Sequence, residues 1–146
     1  MFDFLKKKDE SSFNEQDLIL NVACLLIHAA KIDQKFTDKE RNIIKKAIID
    51  LGGNVSNIDQ IIKKAEINEN NSNQILNFTK EIKNTNHDFK TKIIEVLWKI
   101  IYSNNEADIY ETNLMSRLSG LLYIDNKVMV EIKERVKKKF SKWHIS

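Results

Sequence analysis

The chain has 146 residues, 42% of them hydrophobic and 31% charged, and a formal net charge of +3. This balance favours neither a disordered nor a membrane-spanning class, and the length suits one globular core burying roughly two thirds of the unfolded surface. Proline is absent and glycine occurs only as Gly52, Gly53 and Gly120, too few turn formers for a β-rich chain, so an all-α fold is predicted.

Residues 1–12 form an aromatic and basic segment in which Phe2, Phe4 and Leu5 precede Lys6, Lys7 and Lys8. Without a long apolar stretch behind a basic start, this does not read as a secretion signal. A helical domain is expected over 13–141, followed by a short tail over 142–146. Its first helix, Leu18 to Ala30, is apolar around most of its circumference, as a helix surrounded by others requires. The longest apolar run, Val22 to Ile27, is far short of the roughly 20 residues that span a bilayer. The single Cys24 excludes an internal disulfide and fits a reducing compartment. The cytoplasm is therefore expected.

A capping box, Thr37 with Glu40, predicts the start of the second helix, which carries Ile43, Ile44, Ala47 and Leu51. Gly52-Gly53 supplies its stop. Ser56 with Asp59 is expected to open a third helix whose face holds Ile58, Ile61, Ile62 and Ala65. From Glu69 to Asn84 an asparagine-rich loop should lead into a shorter helix with Ile75, Leu76, Phe78 and Ile82. Phe89 to Ile101 repeats the apolar character of the first helix, and Asp108 with Glu111 forms a second capping box. Asp125 should cap a last helix that presents Val128, Ile132, Val136 and Phe140 on one face and reaches about residue 141. Exposed pairs Glu131–Arg135 and Glu134–Lys138 are expected on its outer side.

Shifted by 71 residues, the stretch Leu18–Leu51 aligns without gaps on Phe89–Leu122. Val22, Ala23, Leu25, Leu26, Ile27, Ala29 and Ala30 fall on Ile93, Ile94, Val96, Leu97, Trp98, Ile100 and Ile101. Ile43, Ile44, Ala47 and Leu51 fall on Leu114, Met115, Leu118 and Leu122. Coincident apolar positions over that length predict two copies of one helical unit, and hence a single-domain bundle of about seven helices with an internal pseudo-twofold repeat.

Up to Glu134 the chain holds 19 basic and 21 acidic residues, and the remaining five bases follow from Arg135 onward. A slightly acidic body argues against a specific nucleic-acid partner. No nucleophile–base pair or acid pair with catalytic spacing is visible, and Gly52-Gly53 lacks the strand and further glycines of a phosphate loop, so no enzymatic activity is expected. Cys24 and His28 share a helix face, but two ligands are half of a structural zinc set, and a core thiol beside a partly satisfied histidine is the favoured reading. The acids at the two helix joints, Asp33, Asp38 and Glu40 with Glu106, Asp108 and Glu111, would offer oxygens to a divalent cation such as calcium if the joints meet. Capping accounts for Thr37, Glu40, Asp108 and Glu111 without any metal and is preferred, leaving no required cofactor. At the ends, Phe2, Phe4 and Lys6 to Lys8, and Lys137, Lys138, Lys139 and Trp143, combine aromatics with positive charge. That mix suits an acidic protein partner or the inner face of an anionic membrane, while apolar residues folded back onto the bundle beside solvated lysines are the favoured reading.

The run Ala30-Lys31-Ile32-Asp33-Gln34-Lys35-Phe36-Thr37-Asp38-Lys39-Glu40, repeated more weakly as Ser103 to Glu111, resembles the tellurite-resistance TerB family. Members share a helix ending in Ala-x-x-Asp, a short turn, and a Glu seven residues after that Asp. The resemblance covers roughly Phe13 to Lys139 and implies a bundle of seven or eight helices with internal pseudo-symmetry. It also implies links to stress or tellurite resistance, occurrence within membrane-tethered co-chaperones, and an acidic surface proposed to bind divalent metal. Gln34 stands where a Gly often follows the first Asp, and Asn104 replaces the second Asp, both of which count against a metal site. The expected function is a non-catalytic interaction domain in a stress or envelope-associated complex, with metal sensing and membrane-surface binding as alternatives.

Overall fold

A computed structural model describes residues 15–32, 36–71, 75–103 and 109–145, with the side chains of 109, 110 and 140–145 left out of the description. Among the described residues the chain is built from seven α-helices and no strand: α1 (Glu15–Ala30), α2 (Asp38–Asp50), α3 (Ile58–Asn71), α4 (Ile75–Thr79), α5 (His87–Tyr102), α6 (Ile109–Leu121) and α7 (Asn126–Ile145). Single 3-10 turns, Val55–Asn57 and Ile82–Asn84, precede α3 and α5. None of the helices is long and apolar enough to cross a membrane.

Helix α1 lies against α2, α3, α4 and α5, and α5 also packs on α2 and α7. This explains the uninterrupted burial of Val22 to Ile27, since a helix with neighbours on every side has no polar face to keep wet. Their counterparts on α5, Ile93, Ile94, Leu97 and Trp98, are buried as well, whereas Val96 is only partly covered. The α2 and α6 limits differ by the same 71-residue shift that aligns the sequence, and Ile44, Ala47 and Leu51 are buried like Met115, Leu118 and Leu122.

Several expected details differ. Ser56 does not cap α3: it sits inside the 3-10 turn, where Asn54 Oδ1 accepts from the Ser56 backbone N–H at 3.0 Å and from its hydroxyl at 2.9 Å. An asparagine two residues earlier competes for the same open amides, and its side chain takes the Ser56 N–H, the second donor of the turn. The asparagine-rich tract is not a loop from Glu69 onward, because α3 runs on to Asn71. The segment after it divides into α4 and the second 3-10 turn, with Ile75, Phe78 and Ile82 buried and Leu76 outward. Helix α7 extends to Ile145, beyond the expected end near 141. Its buried face is Met129, Ile132 and Val136, with Val128 at the edge. Arg135 reaches across to Glu95 of α5 at 3.5 Å, and the expected pairs with Glu131 and between Glu134 and Lys138 do not form. An inter-helix partner competes here with a solvated i,i+4 pair worth only a few tenths of a kcal/mol.

Helices α2 and α6 end alike. The Gly53 N–H donates to the Ile48 carbonyl at 2.7 Å, and the Ile124 N–H to the Ser119 carbonyl at 2.9 Å, the six-residue closure that needs a left-handed residue at its centre. In the first half that residue is Gly52, with φ 119°, and in the second it is Tyr123, with φ 57°.

Candidate functional site

The joint before α2 is the best-described part of the acidic motif. Glu40 donates its backbone N–H to Thr37 Oγ1 at 3.2 Å, and its carboxylate accepts from the Thr37 N–H at 2.9 Å and hydroxyl at 3.2 Å. Both arms of the capping box are therefore formed, and Glu40 is fully buried. Asp38, exposed in the first turn, places negative charge at the helix's positive end. Arg41 lies over the Phe36 ring, 4.6 Å from its centroid, and pairs with Glu66 of α3. Lys39 Nζ donates to the Ser103 carbonyl at 3.2 Å, so the start of α2 sits beside the end of α5, where the second joint begins. Across that joint Glu111 is 4% exposed. Asp33, Glu106 and Asp108 lie outside the described residues, and so does the Asp108 half of the second capping box. Among the described residues, no three His, Cys, Asp or Glu side chains are grouped to hold a metal ion.

Cys24 and His28 are both turned toward α3. The Cys24 thiol is 3.6 Å from the Ala65 carbonyl, and burial, aided by the charge of Glu69, pushes its pKa from 9.0 up to about 12. A thiol held protonated is neither nucleophile nor ready ligand. His28 Nδ1 stands 3.1 Å from Glu69 Oε2, and Lys31 Nζ donates to Glu69 Oε1 at 2.7 Å and to Asn70 Oδ1 at 2.6 Å. Glu69, 5% exposed, thereby fastens the last turn of α1 to the last turn of α3. Glu69 is hidden in the sequence, because it stands at the head of the asparagine-rich tract expected to be a loop. Helical continuation from Ala65, which puts Glu69 one turn along the same face, is the signal that would have found it.

Asp125 caps α7 as expected: its Oδ1 accepts from the Lys127 N–H at 3.3 Å and its carbonyl from the Met129 N–H at 3.1 Å. At the ends of the chain, Lys137, Lys138 and Lys139 are exposed on α7. Trp143 lies in the same helix with its side chain outside the description, and Phe2, Phe4, Lys6, Lys7 and Lys8 lie outside the described residues.

A surface feature not anticipated from sequence is a groove of about 320 Å³ between α4 and the C-terminal end of α6. Leu76, Lys80, Lys83, Gly120, Leu121 and Tyr123 line it, and no carboxylate does so among the described residues. Leu76 is 51% and Tyr123 68% exposed. Lys90, outside the lining, holds its ammonium 5.9 Å from the centre of the Tyr123 ring. Elsewhere, the buried Trp98 indole N–H has no hydrogen-bond acceptor among the described residues, while its ring stacks on Tyr102 at 5.8 Å and carries Lys133 at 5.4 Å.

Fold and site together define a small all-helical bundle domain in which an acid at a helix joint is built into a capping box. The model of the family described as tellurite resistance protein TerB matches residues 19–134, and the chain belongs to that family. No curated protein and no solved structure matches the chain.

Proposed function

We propose that this chain is a non-catalytic TerB-family interaction domain, acting through surface contact with another protein in a stress or tellurite-resistance complex. The observation that supports it is the engagement of the chemically capable side chains in joining helices. Cys24 is held as a buried thiol against Ala65, His28 and Lys31 share the Glu69 carboxylate, and Glu40 closes a capping box. Among the charged side chains of both signs that this chain turns outward stand large apolar ones, Val55, Ile67, Leu76, Tyr123 and Val130. Such a surface suits protein contact. Purification of the tagged chain from its native cell after mild cross-linking tests the reading. A companion recovered at fixed ratio is expected, and repeated recovery of the chain by itself overturns it.

A second reading, a divalent-cation sensor at the helix joints, draws support from the Lys39–Ser103 contact, which brings the start of α2 to the end of α5. Calorimetric titration of metal-free protein with calcium tests it, and an absence of heat at millimolar concentration removes it.

A further inference from the structure

We propose that the groove between α4 and the end of α6 receives an acidic segment of a partner protein, anchored by an apolar residue set between carboxylates. This rests on the interaction reading above and assigns it a surface and a partner chemistry.

The first observation is uncompensated positive charge. Lys80 and Lys83 line the groove, and neither pairs with a carboxylate among the described residues. Lys90, behind Tyr123, is 8% exposed, and no carboxylate pairs with it among the described residues either. Its ammonium reaches the Lys83 carbonyl at 3.5 Å and the Tyr123 ring face, and burial holds its pKa below the ordinary lysine value. A carboxylate brought to Lys80 and Lys83 would supply the counter-charge that no described carboxylate gives them.

The second observation is a departure from economy in the backbone. The helix end that Gly52 closes without strain is closed by Tyr123 in the equivalent place, in a left-handed conformation that bulky residues avoid. The tyrosine is held there with most of its ring in solvent, where packing does not reward it. Such outliers cluster where a ligand is met.

Third, three residues before Tyr123 stands Gly120, in the last turn of α6, where the aligned position of α2 carries Ile49. A Cβ at Gly120 would meet nothing within 4 Å, so no neighbour in this fold requires glycine there. A bare backbone at the floor of a groove admits close approach by another chain.

Lys80, Lys83, Leu76 and Tyr123 thus combine cationic and apolar surface around a space that holds a few side chains. A peptide with leucine, methionine or phenylalanine among aspartates and glutamates is complementary to both. A nucleic acid fits less well, because its continuous phosphates would run onto a body where acids outnumber bases.

A displayed library of random peptides selected on the full chain, with counter-selection on Lys80→Glu/Lys83→Glu, tests the assignment. Winning sequences are then measured by fluorescence anisotropy, with circular dichroism confirming that each variant is folded. Expected are acidic sequences with an apolar centre that bind the charge-reversed variant roughly tenfold or more weakly. Gly120→Leu, which fills the groove, should lose binding to a similar degree. Tyr123→Gly should weaken it several-fold while leaving the thermal midpoint no lower than in the parent. The assignment is overturned by failure to enrich any peptide, by neutral or basic winners, by affinity indifferent to these substitutions, or by a single-stranded oligonucleotide binding at the same lysines in place of peptide. Should the native-cell purification retain its companion with Lys80→Glu/Lys83→Glu, the interaction reading stands and the groove falls. Recovery of the parent chain by itself would remove both.

Discussion

Replacement of Glu69 by Gln isolates the carboxylate that joins α1 to α3. The change preserves shape and leaves one carbonyl oxygen, but it removes the charge that His28 and Lys31 face at 3.1 and 2.7 Å. Breaking a fully buried pair costs roughly 3–5 kcal/mol. Here the His28 and Lys31 side chains keep 24% and 34% of their exposure, so both can rehydrate and the loss is smaller. Two charge-assisted hydrogen bonds weakened together suggest about 2 kcal/mol. For a chain of this size that lowers the thermal midpoint by roughly 3–4 °C per kcal/mol. Urea unfolding followed by circular dichroism, with Lys31→Met and the double variant closing a cycle, separates the ion pair from general disruption. A Glu69→Gln stability within about 0.5 kcal/mol of the parent, as for an ordinary surface change, would refute the fastening role.

Other substitutions carry equally definite outcomes. Gly53→Ala places a Cβ 2.6 Å from Ile48 Cγ2 and 2.9 Å from the Ile48 carbonyl oxygen, so it should destabilise by about 1–3 kcal/mol in chemical denaturation. Gly120→Ala, with open space around the new methyl, should raise stability by up to about 1 kcal/mol through helix propensity. Thr37→Ala removes the hydroxyl that accepts from the Glu40 N–H and should cost about 1 kcal/mol, measured the same way. For Cys24 the folded thiol keeps its proton until pH about 12, against 9.0 for an ordinary thiol, so the native state binds more protons between those values. Stability contributed by Cys24 is therefore present below pH 9.0 and declines above it, by at most about 1.4 kcal/mol per unit. Cys24→Ala should flatten that decline in urea titrations at stepped alkaline pH, and an unchanged slope would contradict the assignment.

The readable parts of the fold are those where period and cap coincide. Leu18 to Ala30 declares itself by apolar residues on every face, and the Thr37–Glu40 box fixes the start of α2 to the residue. Asp125 likewise marks the start of α7 because one short acid precedes a clean fourfold apolar series. Ser56 is misleading because Asn54, Ser56 and Asp59 all carry helix-start chemistry within six residues, and propensity does not rank them. The asparagines at 68, 70 and 71 look like loop, yet packing of Ile62, Ala65 and Glu69 on α1 carries the helix through them.

The candidate sites were legible in proportion to how local they are. A capping box spans three residues and can be read directly, whereas Cys24 and Ala65, or His28 and Glu69, are 41 residues apart and meet only through the α1–α3 contact. The groove depends on residues from two distant segments, 76–83 and 120–123, and no period links them. The 71-residue alignment nonetheless contained its trace, since it sets Tyr123 on Gly52 and Gly120 on Ile49, two of the three places where a glycine in one copy meets another residue in the other.

The claim that this domain works by holding another protein is tested most directly by the mass of the particle it forms in a fresh lysate of its own cell. Size-exclusion chromatography with immunodetection should place the chain in a complex well above its 17.1 kDa, containing a second protein at constant ratio across the peak. Elution at the mass of the free chain, unchanged by cross-linking, would contradict the account.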